Sequence, residues 1–378
     1  MNAATLGFVP KRALVISRTA LAAGLPEKPW ASALRLIVLL ACIAAPRAVR
    51  AQLLQEHIGE AVPRDVREIY DRGLKYLIAH QNEDGSWPGN QQGPGVTGLC
   101  VMCFLASGED PNFGLYSTQV RKGVRNIIAA QDGGTGYFGN SMYHHGFATL
   151  ALAEAYGAVD ERTLWPAGAG AGQGDKRSIG QALELAVRAA VTSQKKNSFG
   201  GWRYSPDSDD ADTSVSGAVL VGLLAARNAG IEVPDESIDR AIAYYKSMTS
   251  DSGQVAYSGG MGGFDESIAR ISIGSLIYAV ARRKDIPQYA ATVRYLKERL
   301  DQTSPGPYVE YARYYEAQAL FQGDVEAWGK WNELLIRNIK ESQLPDGSIP
   351  GQFGPELATS MSLLALALNY RFLPIYER

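Results

Sequence analysis

The chain has 378 residues, 46% of them hydrophobic and 20% charged, with a formal net charge of -2. That is an ordinary globular composition, long enough to bury a large core. The near-neutral balance gives no electrostatic reason to expect nucleic acid or an anionic membrane as partner.

Residues 1–51 read as a signal peptide with an extended n-region. Lys11, Arg12, Arg18, Lys28 and Arg35 precede or enter an apolar run over 33–45, and Val49-Arg50-Ala51 offers a small-x-small cleavage site before Gln52. The run is short for a transmembrane helix, so export is expected and an obligate membrane span is not. Leu39-Leu40-Ala41-Cys42 offers a second, lipoprotein-like processing site. A short linker, 52–62, leads into a helical domain over 63–378.

In that domain amphipathic helices are predicted over 65–80, 117–130, 178–193, 235–248, 286–300 and 325–342, with charge on one face, as at Arg64, Arg67, Arg72 and Lys75. Each is followed by a helix that is apolar nearly all round, starting near Thr97, His145, Thr213, Glu266, Tyr308 and Leu357. Wet helices alternating with dry ones predict a closed ring, dry helices inside. The Gly-rich stretch 167–174 reads as a loop insertion. Cys100 and Cys103, three apart on one helix, read as small buried side chains rather than a disulfide or a zinc site.

One motif punctuates the pairs. It is complete at Arg72–Trp87, R-G-L-K-Y-L-I-A-H-Q-N-E-D-G-S-W. Echoes run through Gly123, Ile127 and Gln131 to Gly136; through Ala186 and Gln194 to Trp202; and through Ala241 and Tyr245 to Thr249, which replaces Gln. The last echo is Ile339, Gln343 and Gly347-Ser348. The spacing of the copies is in the range where repeats mean a solenoid or a closed array.

The Arg72–Trp87 pattern resembles the QW motif of squalene and oxidosqualene cyclases. The helix pairs resemble their α/α toroid, shared with protein prenyltransferase β subunits and complement-type thioester domains. G-G-W-R-Y with D-A-D-T-S-V-S-G, and Y-H-H-G-F-A-T-L-A-L-A-E-A-Y-G, are similar to exported single-toroid bacterial proteins labelled prenyltransferase/squalene-oxidase repeat proteins. The resemblance spans roughly residues 60–375. It implies an all-α fold, a single α/α toroid of about six pairs, and a cavity for an apolar, isoprenoid-like ligand with transferase or isomerase chemistry.

Class II terpenoid cyclases protonate their substrate with the middle Asp of D-x-D-D-T-A. Clustered carboxylates suit an acid kept protonated in a dry site. Two registers place that motif here. In one, Asp207, Asp209 and Asp210 form D-x-D-D, followed by Ala211 rather than Thr. In the other, Asp212-Thr213-Ser214 matches D-T-A and Ala211 stands where the proton donor belongs. Asp209, Asp210 and Asp212 are therefore the candidate acids, while Asp212 also reads as a helix N-cap in a solvated loop.

If connections alternate, every inner helix starts at one end of the ring. His144, His145, Trp202, Tyr204, Glu266, Tyr311 and Tyr314 are the candidate ligand contacts there. The His pair also reads as a local cap, and the tyrosine stripe as packing. No metal or cofactor is expected: no H-x-x-x-H or H-E-x-x-H spacing is present, and no prenyltransferase zinc set can be placed. A non-catalytic scaffold that binds a protein partner, and a carbohydrate-active lyase or hydrolase using Asp212 and Glu266, remain alternative readings.

Overall fold

The computed structural model describes residues 62–166, 176–259, 266–301 and 308–376. The expected leader, the linker up to residue 61 and the Gly-rich stretch lie outside those residues. Outer helices are α1 (Arg64–Ala79), α3 (Ser117–Ala129), α5 (Ile179–Gln194), α7 (Asp235–Ser247), α9 (Pro287–Lys297) and α11 (Val325–Ser342). Inner helices are α2 (Pro94–Leu105), α4 (Met142–Ala155), α6 (Thr213–Asn228), α8 (Ile268–Val280), α10 (Val309–Gly323) and α12 (Pro355–Ala367). This is the six-pair, all-α toroid that the wet–dry alternation predicts, with no strand among the described residues beyond isolated bridges.

Helix starts follow local chemistry. Helices α2 and α12 begin two or three residues before the expected Thr97 and Leu357 because Pro94 and Pro355 occupy the first turn. There a fixed φ and a missing N–H cost nothing. Helix α4 begins at Met142 rather than His145, where the Met142 N–H is taken by the Tyr204 carbonyl of the next repeat at 2.8 Å.

Every residue of α2 is buried, and α6 is buried from Thr213 through Ala226. Each inner helix packs on the next, α2 on α4, α4 on α6, and so round to α12 on α2. Backbones come close where side chains vanish: a Cβ on Gly146 of α4 would lie 2.5 Å from the Ala218 carbonyl carbon of α6. Cys100 and Cys103 are fully buried thiols within this wall.

The repeated Gln explains the closure. Gln81 donates to the Gly85 carbonyl of its own turn and to the Gln119 carbonyl of α3, both at 3.1 Å. Gln131 bridges Gly136 and Ala182 of α5, and Gln194 bridges Gly200 and Ser237 of α7. Gln343 bridges Gly347 and Ile69 of α1, each at 3.0 Å, which joins the last repeat to the first. Where Thr249 replaces Gln, its hydroxyl turns back to the Tyr245 carbonyl at 2.7 Å and meets the Tyr278 hydroxyl at 2.8 Å. Trp87 and Trp202 donate their indole N–H to Leu77 and Ala190, each four residues before its Gln.

Gly347 has φ +93° and lies against the Arg72 carbonyl of α1, so a Cβ there would collide with backbone. Gly157 has a similar φ of +81° with nothing around it. Gly157→Ala is expected to cost about 1 kcal/mol, the backbone strain alone. Gly347→Ala is expected to cost at least ~2 kcal/mol more, because the closing contact must open. Urea unfolding of the two variants checks this, and equal losses would refute a closing role for the Gln343 turn.

Candidate functional site

The inner helices all start at one end, and their first turns enclose a cavity of about 830 Å³. Gly95, Val96 and Leu99 face it from α2, and Tyr143, His144 and Phe147 from α4. Ser214 comes from α6, and Ile268, Ala269 and Arg270 from α8. Glu310 and Tyr311 of α10 and Leu357, Ala358 and Met361 of α12 complete the helical wall. The turns add Tyr204, Tyr257, Glu266, Tyr308 and Phe353.

An aromatic stack crosses the ring between α4 and α10. Tyr143 meets Tyr311 edge-on at 6.2 Å, with hydroxyls 3.5 Å apart, and Phe147 meets Tyr314 at 6.2 Å. Tyr311 and Tyr314 both pack on buried Tyr315.

Of the residues expected at the site, the structure brings His144, Tyr204, Glu266 and Tyr311 to the cavity. Tyr314 lies behind the lining in the aromatic stack, 2% exposed. Trp202 is fully buried and committed to the Ala190 carbonyl. His145 faces away from the cavity. Its Nδ1 accepts the Phe138 N–H at 3.3 Å and its Nε2 donates to the Ala186 carbonyl of α5 at 3.0 Å. Burial lowers its pKa to about 4, so it is a neutral staple between repeats.

His144 differs although it is the next residue. Its Nδ1 accepts the Gly95 N–H at 3.2 Å. Burial lowers its pKa, so the ring is neutral and its Nε2 carries the proton. Glu266 accepts from Tyr295 at 2.7 Å and pairs with Arg299 at 3.2 Å.

The acidic candidates separate. Asp207, Asp209 and Asp210 are exposed, Asp207 pairing with Lys196 and Asp210 with Arg203 at 3.0 Å. Asp212 is fully buried and does not line the cavity. It is the N-cap of α6: its Oδ1 accepts the Val215 N–H at 2.7 Å, and its Oδ2 lies 3.5 Å from Arg203 Nε. Arg203 in turn lies over the rings of Tyr204 at 5.6 Å and Tyr257 at 5.5 Å, whose hydroxyls bond at 2.8 Å. Ala211, the residue in the donor register, is itself buried.

Sequence reasoning missed Tyr143, Phe147, Tyr257, Tyr308, Phe353, Arg270 and Glu310 as lining. The rule that inner-helix first turns share a mouth would have found Tyr143 and Glu310. Nothing in the pattern marks Tyr257 or Phe353, which sit in turns. Among the described residues no set of three or more His, Cys, Asp or Glu comes together as metal ligands, and no helix is long and apolar enough to cross a membrane.

Fold and cavity define an α/α toroid protein with an aromatic chamber at one end. No family model and no curated protein matches the sequence. Among solved structures, a variant of the type II terpene cyclase MstE from Scytonema, bound to its product merosterolic acid A, superposes with a TM-score of 0.56 at 15% identity over 82% of this chain and 98% of that one. Another variant of that enzyme, bound to its substrate geranylgeranyl dihydroxybenzoate, has a TM-score of 0.54 at the same identity and coverage. The GH76A alpha-1,6-mannanase from Salegentibacter sp. HEL1_6 has a TM-score of 0.58 at 11% identity over 80% of this chain and 99% of that one. At these identities the likeness is one of fold.

Burial pushes the Asp212 carboxyl up to about 6, against the opposing pull of the Val215 N–H and Arg203. Between about pH 4 and that value the native chain holds this proton more tightly than the unfolded chain, so this group's contribution to stability falls as pH rises through the window. Asp212→Asn keeps a cap acceptor and removes the titration. The variant is expected to gain on the order of 2–3 kcal/mol relative to wild type between about pH 4 and 7. Urea unfolding at both pH values reads it, and a flat difference would contradict it.

Proposed function

We propose that the chain binds an apolar, isoprenoid-like ligand in the chamber at the inner-helix N-terminal end. The lining carries this reading. Seven aromatic rings, joined by Val96, Leu99, Ile268, Leu357 and Met361, surround about 830 Å³. Ligand chambers fall in the range of roughly 300–1,000 Å³ and are mostly apolar with a few placed polar groups. The fold neighbour MstE takes a geranylgeranyl substrate, which supports the same ligand class here. Buried Asp212, held by its own helix, is a structural cap in this reading, so binding rather than protonation by Asp212 is the function proposed. The apolar run at 33–45 and the cleavage pattern before Gln52 support export of the protein.

Calorimetric titration with farnesol or geranylgeraniol in detergent micelles is expected to saturate at one site. Tyr204, 47% exposed on the lining, can be cut back without opening the core. Tyr204→Ala is expected to weaken binding about fivefold, from partial loss of its apolar contact. Saturable binding of manno-oligosaccharides with none of the isoprenoid alcohols would move the site to the carbohydrate-active class.

A further inference from the structure

Glu310 is the polar group that the apolar reading leaves unexplained. It stands in the first turn of α10, lines the chamber and is 8% exposed. Its carboxylate occupies the space a side chain on Gly351 would need. Among the described residues no hydrogen bond or ion pair meets that carboxylate. A carboxylate so placed is costly unless something compensates it. Arg313, one turn on, interacts electrostatically with both Glu310 and Glu316, so one guanidinium is shared between two acids. The α10 N-terminus favours a negative charge at Glu310 but adds no partner to its oxygens.

The rings around Glu310 are also unoccupied. Tyr308 stacks on Phe353 at 5.6 Å, and Tyr311 follows Glu310 on the helix. All three line the chamber. The rings beside α6 and α8 differ: Arg203 already covers Tyr204 and Tyr257, and Arg270 lies 6.0 Å from the Tyr257 ring. Among the described residues no cation lies over Tyr308, Tyr311 or Phe353. Aromatic faces attract ammonium and quaternary ammonium groups, most strongly where water is excluded. Neutral His144 does not oppose a cation across the chamber.

We propose that Glu310 with Tyr308, Tyr311 and Phe353 forms a cation subsite, so that the ligand is an amphiphile with an apolar chain and an ammonium or quaternary ammonium head. This rests on the apolar-ligand reading above and specifies the head group. The protein's own carboxylates already stand at other inner-helix starts, Asp212 as the N-cap of α6 and Glu356 in the first turn of α12, and answer those dipoles. An anionic head placed at Glu310 would therefore meet a like charge, since the lining cation Arg270 stands on α8 and donates to the Val255 carbonyl.

The test compares one isoprenoid chain with three heads: farnesol, farnesylamine and farnesoic acid, each titrated into the full chain in neutral micelles. Farnesylamine, protonated at neutral pH, is expected to bind about tenfold tighter than farnesol, and the acid weakest. Glu310→Gln is expected to bring amine and alcohol to within about twofold of each other. Tyr308→Leu, at a side chain 56% exposed, is expected to reduce the amine preference without affecting folding. Equal binding of amine and alcohol by wild type, or an amine preference that survives Glu310→Gln, overturns the cation subsite and leaves the apolar chamber standing. Binding of none of the three overturns both.

Discussion

The structure depends on one side-chain amide used repeatedly. A Gln at the end of α1, α3, α5 and α11 donates one N–H to its own turn and the other to a carbonyl of the next outer helix. Both acceptors are backbone oxygens, one in the Gln's own turn and one in the N-terminal half of the next outer helix, where a carbonyl has a second lone pair to offer. An open solenoid has two terminal repeats that must be capped. Here the bond from Gln343 to Ile69 repeats the interior geometry, so closure requires no special interface. The buried side-chain oxygens of Gln131, Gln194 and Gln343 take no bond, so each staple works through its donors alone.

That staple fixes polarity. Because every marked turn joins an outer C-terminus to an inner N-terminus, all inner helices present their first turns at one end. The first turns are where side chains can project past the packed middle of the ring, and there the chamber forms. The middle is closed by small residues between adjacent helices and by the Tyr143–Tyr311 and Phe147–Tyr314 contacts between opposite ones. Fold and chamber therefore have a common origin, and the marker motif belongs to the perimeter of the same end.

What was legible in the sequence was what is local. Six outer helices could be read from periodicity and six inner ones from continuous apolar runs, and their boundaries shifted by at most about three residues, as where Pro94, Pro355 or the Met142–Tyr204 bond intervened. Asp212 as an N-cap was legible too, because capping depends on the residues that follow. The chamber was much less so. His144 and His145 are indistinguishable as letters, but one step along a helix turns a side chain by about 100°. One therefore faces the chamber and the other faces α5. Tyr257 and Phe353 lie in turns whose positions depend on neighbouring repeats, and Glu310 was hidden within an aromatic stripe read as packing.

Asp212 and Glu310 make the same point from opposite directions. Both are acids at the start of an inner helix, and both are largely removed from water. Asp212 caps its helix through Oδ1 and faces Arg203 at 3.5 Å, while its Oδ2 takes no hydrogen bond, so the cap comes at the cost of a raised pKa. Glu310 makes no capping bond and has only Arg313, shared with Glu316, although the fold could relieve it cheaply: a Gln at 310 would remove the charge, and an apolar residue would extend the wall of Leu357 and Met361. A toroid selected only for stability gains nothing by holding a bare carboxylate against Gly351 among aromatic faces. The cost is understandable where a ligand completes the arrangement, and the complement of a carboxylate ringed by aromatic faces is a positive charge.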